Sequence, residues 1–377
     1  MNGKYLIAAA ALLVVGCTGQ PKADDPLADS GRTLRTENLL VNLLLTGDSA
    51  VYLVGHENST VGGVGWVADY GSDSTVHQRS DVKSVCNDLP AVLGFDLTGI
   101  EAGREQNADG VPFSRIRQEV FAHYGRGGMV TLSWTVGSAD SLTDGEVEKT
   151  DGEVKNTNGG VEKTDGEIDR VAVFLRSLET PYGVRVPVLF RLRGSFTKTL
   201  WQRVAQRFTE QEVTNALLVY APAWEPSPGE AGAVAEASDE SRYLEQYPGD
   251  DIIDVLGIDS YCLGDENDTV AYSAFMAHMD ASLGMLSGIA KKHGKACALT
   301  ETGYGGVRYD TWWTTVLQPV LDRHPVAYVL LWHNDHRQPT RCHAPYPGQR
   351  SASDFVRFYN APQTLFLHDI NGLYRQR

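Results

Sequence analysis

Apolar runs of strand length recur along the chain and alternate with stretches whose apolar residues return at helical spacing. The runs are Tyr52 to Glu57, Ala91 to Asp96, Met129 to Trp134, Val186 to Leu192, Ala216 to Trp224, Val255 to Tyr261, Ala296 to Gly303 and Ala327 to Asn334. Eight βα units in this order predict the α/β class and a single (β/α)8 TIM barrel rather than an open sheet. Several runs end in polar or aromatic residues: His56 and Glu57, Asp96, Trp134, Arg191, Trp224, Asp259 and Tyr261, Glu301, Trp332. A barrel gathers such tips on one face, where they would line a cleft with carboxylates and rings.

One stretch concentrates this pattern. Ala296-Cys297-Ala298-Leu299-Thr300-Glu301-Thr302-Gly303-Tyr304-Gly305 is an apolar run that delivers one carboxylate into a Gly-rich turn. Glu301 is therefore a candidate catalytic carboxylate, the competing reading being a strand-end residue that caps the next helix. Trp66, Trp224, Trp312, Trp313 and Trp332, with the acidic tips, suggest a carbohydrate site, because indoles stack on sugar faces while carboxylates bind hydroxyls. Trp312 and Trp313 lie in a helix-like segment and read as core.

The N-terminus carries a different signal. Lys4 precedes the apolar run Tyr5 to Val15 and then Gly16-Cys17, a signal-peptide layout over residues 1–16 whose apolar part is too short for a permanent span. Val14-Val15-Gly16-Cys17 resembles a bacterial lipobox. That implies cleavage before Cys17, acylation of its thiol, and a lipid anchor in the bacterial cell envelope, at the outer membrane or cell surface. An ordinary secretory signal with a chance cysteine is the competing reading. Thr18 to Arg32 reads as a flexible tether, so 17–42 is tether and lead-in, and 43–377 the barrel.

A low-complexity insertion near 140–168 interrupts the pattern. Thr143 to Val154 is echoed by Val161 to Ile168, and its Asp, Glu and Gly content reads as a solvated or disordered loop. It lacks the acidic spacing of an EF-hand calcium loop.

Composition narrows the partners. The 377 residues, 42% hydrophobic, can bury one large core, and a formal net charge of −15 argues against nucleic acid or anionic lipid as a ligand. Cys86, Cys262, Cys297 and Cys342 show no CxxC spacing, so no zinc site is expected; Cys262 and Cys297 read as buried thiols, and no bridge is assigned. No metal or organic cofactor is expected either.

Ordered motifs then carry a family resemblance. Gly55-His56-Glu57-Asn58, Ser80-Asp81-Val82-Lys83, Pro90 to Leu97, Tyr247-Pro248-Gly249-Asp250-Asp251, Gly257-Ile258-Asp259-Ser260-Tyr261, Leu299 to Tyr304, Ala344 to Gly348 and Ser351 to Phe355 together resemble glycoside hydrolase family 26, the β-mannanases, from about Leu43 to Tyr374. The resemblance implies a retaining mechanism on β-1,4-mannan or galactomannan, with the nucleophile on strand seven at Glu301 and an acid/base glutamate on strand four. It also implies that Tyr261 hydrogen-bonds the nucleophile, that Trp332 floors the sugar subsite, and that His56, Trp134, Arg191 and Asn334 help bind substrate.

The chain departs from the family on strand four. Val188-Leu189-Phe190-Arg191-Leu192-Arg193-Gly194-Ser195-Phe196 keeps the arginine as Arg191, but Gly194 stands at the family's His and Ser195 at its acid/base Glu. Thr135 replaces a substrate-contacting His and His333 a usual Arg. A retaining glycosidase needs a second carboxyl about 5 Å from the nucleophile, and losing a positioned acid costs on the order of 10²–10⁴ in rate. Two functions follow: a hydrolase that recruits Glu57 or Glu225 or acts only on good leaving groups, or a surface lipoprotein that binds mannan-type glycan without cleaving it. A structural lipoprotein with no glycan site would leave Tyr261, Glu301 and Trp332 unexplained.

Overall fold

Eight parallel strands pair in chain order and close on themselves, with helices between them. We number them β1 (Tyr52–Glu57), β2 (Val92–Asp96), β3 (Met129–Thr135), β4 (Val188–Arg193), β5 (Ala216–Tyr220), β6 (Val255–Cys262), β7 (Ala296–Tyr304) and β8 (Tyr328–Leu331). The computed structural model describes residues 27–70, 79–136, 158–225, 237–264 and 268–376. Closure is made by β1 and β8, with Leu53 opposite Tyr328 and His56 opposite Leu331. The structure is thus the (β/α)8 barrel that the sequence predicts, and every expected strand is present. The fifth stops at Tyr220, short of Trp224, because Pro222 has no N–H to give a ladder.

Two apolar layers hold the barrel. Inside, Leu53, Val92, Met129, Leu189, Val219, Val255 and Leu330 fill the lower half. Leu39 and Leu43 of the helix Leu34–Gly47 and the ring of Tyr374 close that end, and Asn42 Nδ2 donates to Leu373 O at 2.8 Å. Outside, residues of opposite parity such as Phe95, Leu132, Phe190 and Leu192 pack against the helices. With the lower interior sealed by hydrocarbon, polar side chains are left for the C-terminal mouth.

Two expectations about segment boundaries need correction. The tether reading fails over 27–32, because Arg32 Nη2 pairs with Asp254 at 2.8 Å and Thr33 caps the helix Leu34–Gly47, whose Leu39 and Leu43 are core. The barrel therefore incorporates the lead-in rather than starting at 43. The second copy of the duplication, expected as loop, begins the helix Asn158–Arg176. Ile168, Val171, Ala172 and Leu175 are buried in it, while Asp165 and Asp169 meet Arg203 and Arg207 of the helix Lys198–Glu210. Asp165 and Asp169 thus face a basic neighbour helix. The first copy, Thr143 to Val154, and the N-terminal segment with Cys17 lie outside the described residues. Among the described residues no helix is long and apolar enough to cross a membrane, and Cys86, Cys262, Cys297 and Cys342 are free thiols.

Candidate active site

Glu301 reaches the barrel mouth through an irregularity in β7. Ile258 of β6 pairs with Leu299, but the next residue, Asp259, pairs with Glu301, so Thr300 is an extra residue. The register against β8 slips at the same place, from Val329–Leu299 to Leu331–Thr302. Ala296 and Ala298 face the interior, and plain alternation would turn Glu301 toward the helices. The bulge turns it inward instead. Thr300 locks the bulge by donating to Ile258 O at 2.9 Å and contacting Asp259 Oδ1 at 2.7 Å, in space that Gly257 leaves open.

Three side chains hold the Glu301 carboxylate, which is 2% exposed. Tyr261 donates its hydroxyl to Oε2 at 2.7 Å. Arg191 Nη2 donates to Oε1, while its Nη1 bonds Asp259 Oδ1 and Oδ2 at 3.1 and 2.8 Å. Arg193 places Nε 2.7 Å from Oε1 and Nη2 3.3 Å from Oε2. Arg191 and Arg193 are two apart on β4 and so share its inward face.

The charges follow from these contacts. Burial works to raise the Glu301 pKa, but Arg191, Arg193 and the Tyr261 hydroxyl outweigh it and hold the carboxyl below its ordinary range. Asp259 is pushed up to about 6 by burial and by Glu301, with Arg191 opposing. Glu57 lies deep at the tip of β1, against Gly94, where any side chain would collide with its carboxyl. Burial raises its pKa far above the ordinary value, with Arg191 pulling down and Glu301 pushing up. Its Oε1 finds no hydrogen-bond partner among the described residues.

The tip of β4 is arranged differently. Gly194 follows Arg193 with φ +79°, a left-handed conformation that a histidine there would adopt only with strain. The chain turns away, and Ser195 is exposed. Thr135 stands opposite Arg193 on β3.

The remaining sequence-predicted residues separate into two groups. Trp332 lies at the mouth, half-buried, with the Arg193 guanidinium carbon 4.4 Å from its ring centroid. His56 and Trp134 have the outward parity and do not touch Glu301. His56 Nδ1 is 2.9 Å from Ser59 Oγ, and burial, with His333 and His343 nearby, pulls its pKa down to about 3. Trp134 packs in the outer apolar layer and donates its indole N–H to Glu101 at 3.2 Å. Asn334 is buried with its amide engaged: Nδ2 donates to Asp81 at 2.9 Å and Oδ1 accepts the N–H groups of His343 and Ala344. Asp81 also accepts the Trp66 indole N–H at 2.7 Å, so this pair ties the loop after β1 to the loop after β8.

Glu225, just past β5, is half-buried. Its Oε1 accepts the Tyr261 backbone N–H at 2.9 Å, Oε2 has no partner among the described residues, and burial pushes its pKa up to about 7. Sequence reasoning missed Arg193 and the Thr300 bulge. The Arg-x-Arg alternation on a strand was the available signal for the first; nothing marks the second. Among the described residues no three His, Cys, Asp or Glu side chains converge in the way a metal ion needs.

A (β/α)8 barrel that gathers a carboxylate, a tyrosine and an indole at its C-terminal mouth has the layout of a barrel glycoside hydrolase. A family model described as glycosyl hydrolase family 26 matches residues 50–296. The fold is similar to a family 26 β-mannanase from Bacteroides ovatus, 39% identical, TM-score 0.77, over 92% of this chain and 98% of that one. It is also similar to an endo-β-1,4-mannanase double mutant from Cellulomonas fimi, 26% identical, TM-score 0.71, over 93% and 79%. A mannan endo-1,4-β-mannosidase of Bifidobacterium adolescentis is 24% identical over an alignment of 355 residues that covers 82% of this chain but 33% of that protein. The chain belongs to glycosyl hydrolase family 26.

Proposed function

We propose that this chain is a β-mannan-directed member of its family in which proton transfer is impaired, so that it holds mannan or galactomannan and cleaves it slowly or not at all. The observation that carries this reading is the pairing of Glu301 with two guanidiniums and a phenol, while the acid/base position expected from the family resemblance is the exposed Ser195. A retaining reaction needs an acid on the leaving oxygen while the nucleophile attacks the anomeric carbon. At the acid/base position this chain offers the exposed Ser195 hydroxyl, which does not donate its proton near neutral pH. Two arginines on Glu301 also stabilise its charge in the resting state and so lower its drive to attack.

Glu225 supports a second reading, slow hydrolysis with a substitute acid. A carboxyl titrating near 7 is matched to proton donation at neutral pH, and Tyr261 ties it to Glu301 through backbone N–H and hydroxyl. Glu57 fits that task less well, being 1% exposed at the floor of the mouth.

The experiment measures reducing-end release from mannan and galactomannan, with glycan binding, for the natural protein, Glu301→Ala and Ser195→Glu. Binding without release in the natural protein, and turnover gained by Ser195→Glu, is the expected result. Brisk release abolished by both Glu301→Ala and Glu225→Gln would move the assignment to the second reading. On the lipobox-like residues alone, the proposal extends to an envelope lipoprotein acylated at Cys17, tested by incorporation of labelled palmitate that Cys17→Ala abolishes.

A further inference from the structure

The place of Arg193 bears on any glycan that enters the mouth. Its guanidinium carbon is 4.4 Å from the centre of the Trp332 ring, and its Nε is 2.7 Å from Glu301 Oε1. Stacked carbon atoms meet at about 3.5–4.0 Å, so a sugar ring lying on Trp332 with its anomeric carbon toward Glu301 needs the volume that this guanidinium fills. We propose that Arg193 is a built-in occupant of the sugar subsite, a side chain that holds the site closed between Trp332 and Glu301 and must swing out before a neutral glycan can bind there.

Local charge keeps the side chain in place. Asp259 and Glu301 are two carboxylates, Arg191 supplies one positive charge between them, and Arg193 supplies the second. The pair with Glu301 engages two nitrogens and two oxygens, and the indole face adds a cation–π contact. Asp96 adds a further acidic group near Arg193, so the mouth has no surplus positive charge to draw in an acidic sugar. The side chain can leave, because Arg193 is partly exposed and Gly194 opens the turn after it.

An occupant lowers apparent affinity by the fraction of molecules in which the site is open. With the open form at about 1–10%, as for an ordinary minor state, Arg193→Ala tightens binding of a neutral manno-oligosaccharide about 10- to 100-fold. Arg191 and Tyr261 still hold Glu301 in that variant.

This inference rests on the mannan-directed reading for its ligand, and the experiment keeps the two apart. Calorimetry measures mannohexaose binding to the natural protein, Arg193→Ala, and Arg193→Ala with Trp332→Ala. In parallel, a small neutral epoxide labels exposed carboxylates, and mass spectrometry follows the rate at Glu301. The expected result is tighter binding and faster Glu301 labelling in Arg193→Ala, with the binding gain lost when Trp332 is also removed. Faster labelling with no mannohexaose binding in any variant supports the occupied subsite and removes mannan as the ligand. Unchanged labelling, or binding that weakens in Arg193→Ala, overturns the proposal, the latter making Arg193 a glycan contact.

Discussion

The tips of β4 and β7 face each other across one mouth and have been treated in opposite ways. At β7 a bulge aims Glu301 inward, Thr300 locks the bulge, and Tyr261 of the adjacent β6 and Arg191 of β4 hold the carboxylate. At β4 a left-handed glycine turns the chain outward and Ser195 ends in water. One tip is bound into the barrel's electrostatics, so a change there disturbs several partners. Past Arg193 the exposed Ser195 is free of such ties among the described residues, so on the reading proposed above an acid at that position could be lost without cost to the fold. The supports of Glu301 also hold the neighbouring buried charge of Asp259 in place.

The sharpest test of this contrast is stability. Arg191→Met leaves Asp259 and Glu301 with one fewer cation in a buried setting, and removing one partner of such a group costs about 3–5 kcal/mol. Ser195→Ala, at the exposed tip, changes stability by less than about 0.5 kcal/mol. Urea unfolding of both reads the difference directly. Similar values for the two variants would mean that the β7 cluster does not stabilise the barrel more than the β4 tip does.

Activity sharpens the contrast next. On the proposed reading, a carboxyl at position 195 supplies a general acid, worth about 10²–10⁴ when well placed. Gly194 keeps that carboxyl near solvent, so Ser195→Glu gains about 10², the lower end of the range for such an acid. Aryl mannosides with good leaving groups need little protonation and gain much less. An equal gain on both substrates would argue that the introduced carboxyl acts on something other than the leaving oxygen. A smaller effect belongs to the bulge itself. Thr300→Val removes the hydroxyl contacts to Ile258 and Asp259 and is expected to cost about 1–3 kcal/mol, while moving Glu301 enough to slow its labelling by epoxide.

The barrel was legible because each strand is a continuous apolar run, a pattern that both-sided burial imposes and that short helices do not imitate. Glu301, Tyr261 and Trp332 were legible from strand ends and from the family's motifs. The second copy of the duplication was not, since its Asp and Glu look solvated until Arg203 and Arg207 are placed beside them. His56 and Trp134 carried family expectations that parity alone qualifies, because both stand on the helix-facing side of their strands. Arg193 escaped because a charged residue at a strand end is usually solvated, and only a Trp332–Glu301 pair at the right separation makes it an occupant. The Thr300 bulge has no sequence signature: a run of nine residues in β7 reads as regular until pairing with β6 is known.

The finest distinction between the two sides of the mouth is in pH dependence. Glu301 has a depressed pKa in the folded protein, so its contribution to stability is present above the ordinary carboxylate value and is lost as pH falls through the lower folded value. Glu225 has the opposite sign. Its folded pKa is raised from 4.5 to about 7, so the folded state binds the extra proton between those values and stability falls as pH rises through that window. Glu225→Gln removes this slope. Melting temperatures of the natural protein and of Glu225→Gln, taken at intervals from pH 4.5 to 7.5, are expected to diverge in favour of the variant as pH rises and to run parallel above about 7. Curves that stay parallel throughout would mean that the Glu225 carboxyl titrates as it does in water. It would then hold no proton for a leaving oxygen at neutral pH, and the substitute-acid reading would fall with it.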